Sequence, residues 1–151
     1  MNSSLPVFRE PTAVEKTFNQ VLGFLVGIGV RFRHKYLLQV RGRKSGKIYS
    51  TPVNLLEFKD KRFLVAPRGR TQWVRNAEAA GEVTLKAGSV QLKFRLRPVA
   101  EAEKPEILKA YLDGFKSEVQ RYFSVTAGSP AEAFVELIGS YPVFELMAES
   151  R

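Results

Sequence analysis

A chain of 151 residues is long enough for one domain with its own core, and 44% apolar with 26% charged residues excludes a disordered chain. It has no cysteine, which excludes disulfides, thiolate metal sites, iron–sulfur clusters and Cys nucleophiles; its one histidine, His34, excludes a two-His zinc motif, so no metal is expected. The net charge of +9 is concentrated between Arg31 and Arg75, where 13 basic residues face 2 acidic ones, and such a segment predicts a positive face for an anionic partner.

Residues 1–30 read as an N-terminal helical segment. Met1–Pro11 shows no basic and apolar signal pattern, and the apolar run Val21–Val30 is far short of the roughly 20 residues that span a bilayer. A cytoplasmic protein is expected. Pro11–Val26 predicts a helix, with Thr12 and Glu15 at capping-box spacing and Val14, Phe18, Val21, Leu22 and Leu25 on one side. This helix packs on the core, covers an apolar site as a lid, or touches a membrane.

Residues 36–99 predict a sheet-rich core. Tyr36–Arg41 reads as a strand and Gly42–Gly46 as a turn. Tyr49–Phe58 reads as a second strand, and Lys59-Asp60-Lys61 suits a tight hairpin into a third strand, Arg62–Ala66. Pro67–Thr71 is a loop before a short helix, Gln72–Ala80, which Gly81 ends as a C-cap. Glu82–Lys86 and Val90–Val99 form two further strands around Ala87-Gly88-Ser89. Residues 100–151 predict a helix over Glu101–Lys116, a short helix through Ile138 with Pro130 at its first position, and a last strand, Pro142–Met147. The order implies a single α+β domain with an antiparallel, barrel-like sheet and peripheral helices.

Two segments could carry chemistry. Gly42-Arg43-Lys44-Ser45-Gly46 is a turn whose glycines let backbone N–H groups converge on an anion, with Arg43, Lys44 and Ser45 adding donors. It is not a P-loop, and a basic surface hairpin has the same composition. Ala66-Pro67-Arg68-Gly69-Arg70 leads directly into a helix N-terminus, a ready anion site, and Trp73 and Asn76 share one face of that helix beside Arg75. Trp73 also suits a core anchor, and Asn76 a structural hydrogen bonder. Tyr36 and Tyr49 are the candidate catalytic groups. His34 is also titratable, but a lone histidine is more often a surface residue. No paired carboxylates suit glycoside or aspartic chemistry.

Gly42–Gly46, Ser50-Thr51-Pro52-Val53, Val65-Ala66-Pro67 and Trp73-Val74-Arg75-Asn76, in that order, together with the ending Tyr141–Leu146, resemble the deazaflavin-dependent nitroreductase family. Its members are split β-barrel oxidoreductases that use coenzyme F420, and they include quinone reductases. The resemblance implies an antiparallel split barrel of the FMN-binding-protein type. It implies that Arg43, Lys44, Ser45 and Gly46 hold the cofactor's phosphate and acidic tail. Thr51, Pro52 and Val53 would line the deazaflavin ring, Ala66, Pro67, Arg68 and Gly69 its edge, and Arg75 and Asn76 the phosphate end, with Trp73 on the helix that carries them. The cofactor would perform hydride transfer to a small organic acceptor, while the protein binds and orients. Lys47-Ile48-Tyr49 departs from the family's basic-Pro-Arg pattern, and the loop from Gly69 to Trp73 is short, so quinone, nitroaromatic and unsaturated acceptors all stay open.

Three other readings use the same charge. FMN could place its phosphate on the same turn. A nucleic-acid-binding domain would need Tyr36, Tyr49 and Phe63 as stacking platforms, but no recognition-module signature appears, so no nucleic acid is expected. A peripheral membrane contact could use the basic face with Phe18–Val26. A homodimer is compatible with a split barrel.

Overall fold

The computed structural model describes residues 35–148. The expected helix Pro11–Val26 and His34 lie outside them.

Strand β1 (Lys35–Arg41) alternates as predicted, burying Tyr36, Leu38 and Val40 on one face. It pairs antiparallel with β2 (Ile48–Asn54), from Arg41↔Ile48 to Lys35↔Asn54. The single strand expected over Tyr49–Phe58 is broken. After Asn54 the chain turns at Leu55, only 1% exposed, and continues as β3 (Leu56–Phe58), which pairs with β4 (Lys61–Val65) rather than with β1. The apolar positions Val53 and Leu55 are followed by Leu56 and Phe58, so the alternation changes phase at the corner where the partner changes. Lys59 and Asp60 form the two-residue hairpin, both at positive φ (51° and 66°), as a type I′ turn requires.

Helix α1 (Gln72–Ala80) follows β4 and ends at Gly81, whose φ of 75° and N–H bond to the Ala77 carbonyl complete the predicted cap. Strands β5 (Glu82–Ala87) and β6 (Val90–Pro98) form the next hairpin, and β7 (Val143–Ala148) inserts between β6 and β4. The strand order is β2-β1-β5-β6-β7-β4-β3. The two edge strands, β2 and β3, are joined by Leu55 alone. The sheet therefore has to curl until its edges meet, which makes it the expected barrel.

Tyr36, Leu38, Leu64, Leu85, Phe94 and Leu146 fill the inside of the curl. A second core lies on the outer side of β3, β4 and β7. There Ile107, Leu108, Tyr111 and Leu112 of helix α2 (Lys104–Gly114) meet Phe123, Phe134 and Tyr141. The Phe123 and Tyr141 rings stack at 4.4 Å. The helix expected over Glu101–Lys116 starts as a 3₁₀ turn (Glu101–Glu103) and breaks at Phe115 (φ −123°, ψ 28°), just after Gly114. Its continuation, α3 (Lys116–Val119) and a 3₁₀ turn (Gln120–Tyr122), takes a new direction. The helix expected after Pro130 is 3₁₀ throughout (Ala131–Leu137). Pro130 caps it with extended backbone (ψ 161°) instead of occupying the first helical position. No helix among the described residues is long and apolar enough to cross a membrane.

Asp113 ties α2 to the loop that follows the α3 region. It accepts hydrogen bonds from the Gly128 N–H and the Lys109 ammonium, both at 2.8 Å, and Lys109 also donates to the Ser129 carbonyl at 2.9 Å. Burial pushes the Asp113 carboxyl up, but these donors outweigh it and hold the group below its ordinary 3.8. The stabilisation is therefore complete above that value and is lost as pH falls through the lowered one. Asp113→Ala is expected to cost about 1 kcal/mol at neutral pH. Urea denaturation of both proteins should show the difference shrinking in acid.

Candidate active site

A groove of about 1530 Å³ runs beside β2. Its walls are the Gly42–Ser45 turn, β2 from Tyr49 to Asn54, the Val65–Arg68 exit of β4, the start of α1, and the segment Lys116–Tyr122. Local hydrogen bonds set each wall. The Gly42 N–H donates to the Lys47 carbonyl (2.7 Å), the Gly46 N–H to the Gly42 carbonyl (3.0 Å), and the Lys47 N–H to Ser45 Oγ (3.1 Å). The turn thus spends these amides on its own closure. That leaves fewer of its N–H groups to converge on an anion, beside the side-chain donors of Arg43, Lys44 and Ser45. Gly42 lies under the Tyr49 ring: a Cβ there would lie 2.5 Å from Cε2, so a larger residue would push this half-exposed ring aside. The Tyr49 hydroxyl meets Ser45 Oγ at 3.1 Å.

Arg43 is the fixed cation of the site. Its Nη1 donates to Asn76 Oδ1 (2.7 Å) and Gln72 Oε1 (3.0 Å), and its backbone N–H also reaches Asn76 Oδ1 (3.1 Å). Asn76 is buried, so a side chain on α1 holds both the turn and its guanidinium across the groove. On the opposite wall the Ala66 N–H bonds the Pro142 carbonyl (2.9 Å). Gly69, at φ 84°, then turns the chain into α1. Trp73 packs against Phe144 at 6.2 Å and also lines the groove.

Of the residues singled out above, the structure brings together Arg43, Lys44, Ser45, Tyr49, Thr51, Pro52, Val53, Ala66, Pro67, Arg68, Trp73 and Asn76. Gly46 and Gly69 shape the adjoining turns without lining the groove, and Arg75 points elsewhere, its Nε on the Arg70 carbonyl (3.3 Å). Tyr36 is separated from them by strand alternation. It faces the barrel interior at 4% exposure, where burial and the nearby Glu57 carboxylate raise its pKa and Arg62 only partly offsets them. Tyr36 and Phe63 are both buried, so of the three aromatic residues considered for stacking only Tyr49 is exposed.

Sequence reasoning missed Gln72, Lys35, Asn54, Tyr111 and the whole Lys116–Tyr122 wall. Tyr111 reads as one more apolar-face residue of a helix. In the structure burial raises its pKa, a hydrogen bond with Asn54 works against that rise, and Glu118 adds to it. Glu118 pairs with Lys35 and accepts from Asn54 Nδ2 (3.3 Å). No local motif announces contacts this distant in sequence.

Compared with known families, residues 12–127 match the F420H(2)-dependent quinone reductase family. The chain belongs to that family. That family is one of F420-dependent oxidoreductases. No match was found among curated proteins. Solved structures share the fold. An F420-H2 dependent reductase, FDR-A, is 22% identical with a TM-score of 0.50, over 76% of this chain and 94% of that one. PhzG from Burkholderia lata 383 is 12% identical with a TM-score of 0.59, over 97% and 84%. Atu2129 of Agrobacterium tumefaciens str. C58, a protein of unknown function, is 21% identical with a TM-score of 0.58 over 96% of this chain. The chain spans 58% of the length of Atu2129. Likeness at these identities speaks for the split-barrel fold alone.

Asn76→Ala removes the acceptor of two Arg43 donors. It is expected to lower stability by about 1–3 kcal/mol and to weaken F420 binding, whereas Gln72→Ala, at an exposed position, changes both less. Denaturation together with cofactor titration of the two variants checks this.

Proposed function

We propose that this chain binds reduced coenzyme F420 in the groove and reduces a small quinone-type acceptor. One observation carries the reading. A guanidinium fixed by a buried asparagine stands at one end of a groove whose adjoining wall includes the uncharged side chains of Pro52, Val53, Ala66 and Pro67. These residues fit the cofactor's two halves. Arg43 and Lys44 suit a phosphate and an acidic tail, with Ser45 and Tyr49 offering hydroxyl donors beside them. Pro52, Val53, Ala66 and Pro67 offer an uncharged surface to a planar ring, closed at its side by Trp73.

When bound, the reduced deazaflavin supplies the hydride. The chain supplies binding, orientation and exclusion of water from the apolar wall. Of the two tyrosines considered for catalysis, Tyr49 adjoins the turn and its hydroxyl is engaged with Ser45, which suits an anion contact. Tyr36 does not line the groove and serves packing. FMN, with one phosphate and no acidic tail, is the second reading, because it would use the same turn.

Titration with F420, FMN and a random oligonucleotide, followed by Trp73 emission, tests the cofactor. Saturable binding of F420 alone is expected, and preference for FMN would overturn the assignment. Arg43→Ala should weaken F420 binding by about 1–3 kcal/mol, or about 5- to 150-fold. Anaerobic oxidation of the reduced cofactor by 1,4-naphthoquinone should depend on the protein; its absence would refute quinone reduction.

A further inference from the structure

The far end of the groove has a charge of its own. Arg41 and Lys35 bound β1, and six residue steps put them about 20 Å apart. The Gly42–Ser45 turn follows Arg41, whereas Glu118 bonds Lys35 and Asn54 at the opposite end. The Lys116–Tyr122 segment is therefore anchored about 20 Å from the cationic turn. Among the described lining residues there, Lys35, Lys116 and Arg121 stand against Glu118, a net of +2. Glu118 is the one carboxylate among the described lining residues, and it is already paired with Lys35. Lys116 also acts on the Asp113 carboxylate, which is itself paired with Lys109, so Lys116 and Arg121 still leave this wall positive.

This wall is also fixed in place. The Gln120 side chain donates to the Val125 carbonyl and accepts from the Ala127 N–H, both at 2.8 Å. The Tyr141 hydroxyl donates to the Tyr122 carbonyl at 2.7 Å. The Arg121 guanidinium lies 4.9 Å from the centre of the Tyr122 ring, so an aromatic surface and a cation are presented together.

We infer that this distal wall selects the electron acceptor by charge, favouring planar aromatic or quinoid compounds that carry a carboxylate or sulfonate over neutral compounds of the same ring size. The inference rests on the reading that the turn and the apolar wall hold the cofactor, which leaves this end for the acceptor. Two exposed cations contribute modestly, so the expected preference is roughly three- to tenfold.

The test uses protein loaded with oxidised F420 and two redox-inert probes, naphthalene-2-sulfonate and naphthalene-2-methanol, with binding measured by calorimetry. The sulfonate should bind about three- to tenfold more tightly. Lys116→Gln/Arg121→Gln should remove that preference with little change for the neutral probe. Lys116→Glu, a single change at an exposed position, should weaken the sulfonate further and serves if the double variant folds poorly. Equal binding of the two probes by the natural protein, or an unchanged preference in the variants, would overturn the inference. Binding preference without protein-dependent naphthoquinone reduction would support charge selection here and refute quinone reduction, so the two failures are distinguishable.

Discussion

The architecture depends on a link of one residue. Strand β2 ends at Asn54 and β3 begins at Leu56, yet these strands stand at opposite edges of a seven-stranded sheet. Successive Cα atoms are about 3.8 Å apart, so the two edges cannot separate without tearing the strands at this corner. Curling is thus imposed by chain connectivity as well as by the twist natural to strands. Leu55 is buried at the corner, so its side chain joins Tyr36, Leu38 and Leu64 in filling the interior that the closure creates. The groove is a consequence: β2 lies at the rim, its outer side left for the turn, α1 and the Lys116–Tyr122 segment to wall in.

Electrostatics act through this frame in an unequal way. The long basic segment raises the potential of one face, but charge alone does not place a donor. Arg43 becomes a directed donor because Asn76 and Gln72, on the first two turns of α1, receive its N–H groups. The same contacts fasten the turn to the helix, so positioning of the cation and attachment of the turn are one event. An arginine held this way loses less freedom when it meets an anion than one on a mobile hairpin.

Much of this was legible in the sequence wherever the signal was local. The 3.6- and 2-residue periods, the Lys59-Asp60 hairpin and the Gly81 cap located α1 and most strand boundaries closely. The ordered motifs around Arg43, Pro52, Pro67 and Trp73 identified most of one end of the groove. What failed was non-local. The apolar alternation changes phase at Leu55-Leu56, a break that a single strand over Tyr49–Phe58 overlooks, and a local pattern does not name the new pairing partner, β4. Helical spacing runs through Phe115, although Gly114 weakens the helix and tertiary packing ends it. The groove wall beyond that break was consequently missed, as was the placement of Arg75 outside the groove. Tyr36 was a plausible reactive group by residue type, and only the phase of β1 reveals that it points inward.

Synthesis order gives the β4–β7 pairing a further meaning. The Ala66 amide, part of the apolar wall, bonds the Pro142 carbonyl, and Phe63, Leu64 and Val65 pair with residues 143–145. These partners leave the ribosome some eighty residues later. Until then β4 has only the short strand β3 beside it, and β6 lacks its outer neighbour. Pairings so distant in sequence form slowly, because loop closure has to precede the contacts that stabilise it. A nascent or truncated chain can therefore present the basic turn and α1 without the wall opposite. The groove thus takes its final shape only when translation has delivered β7.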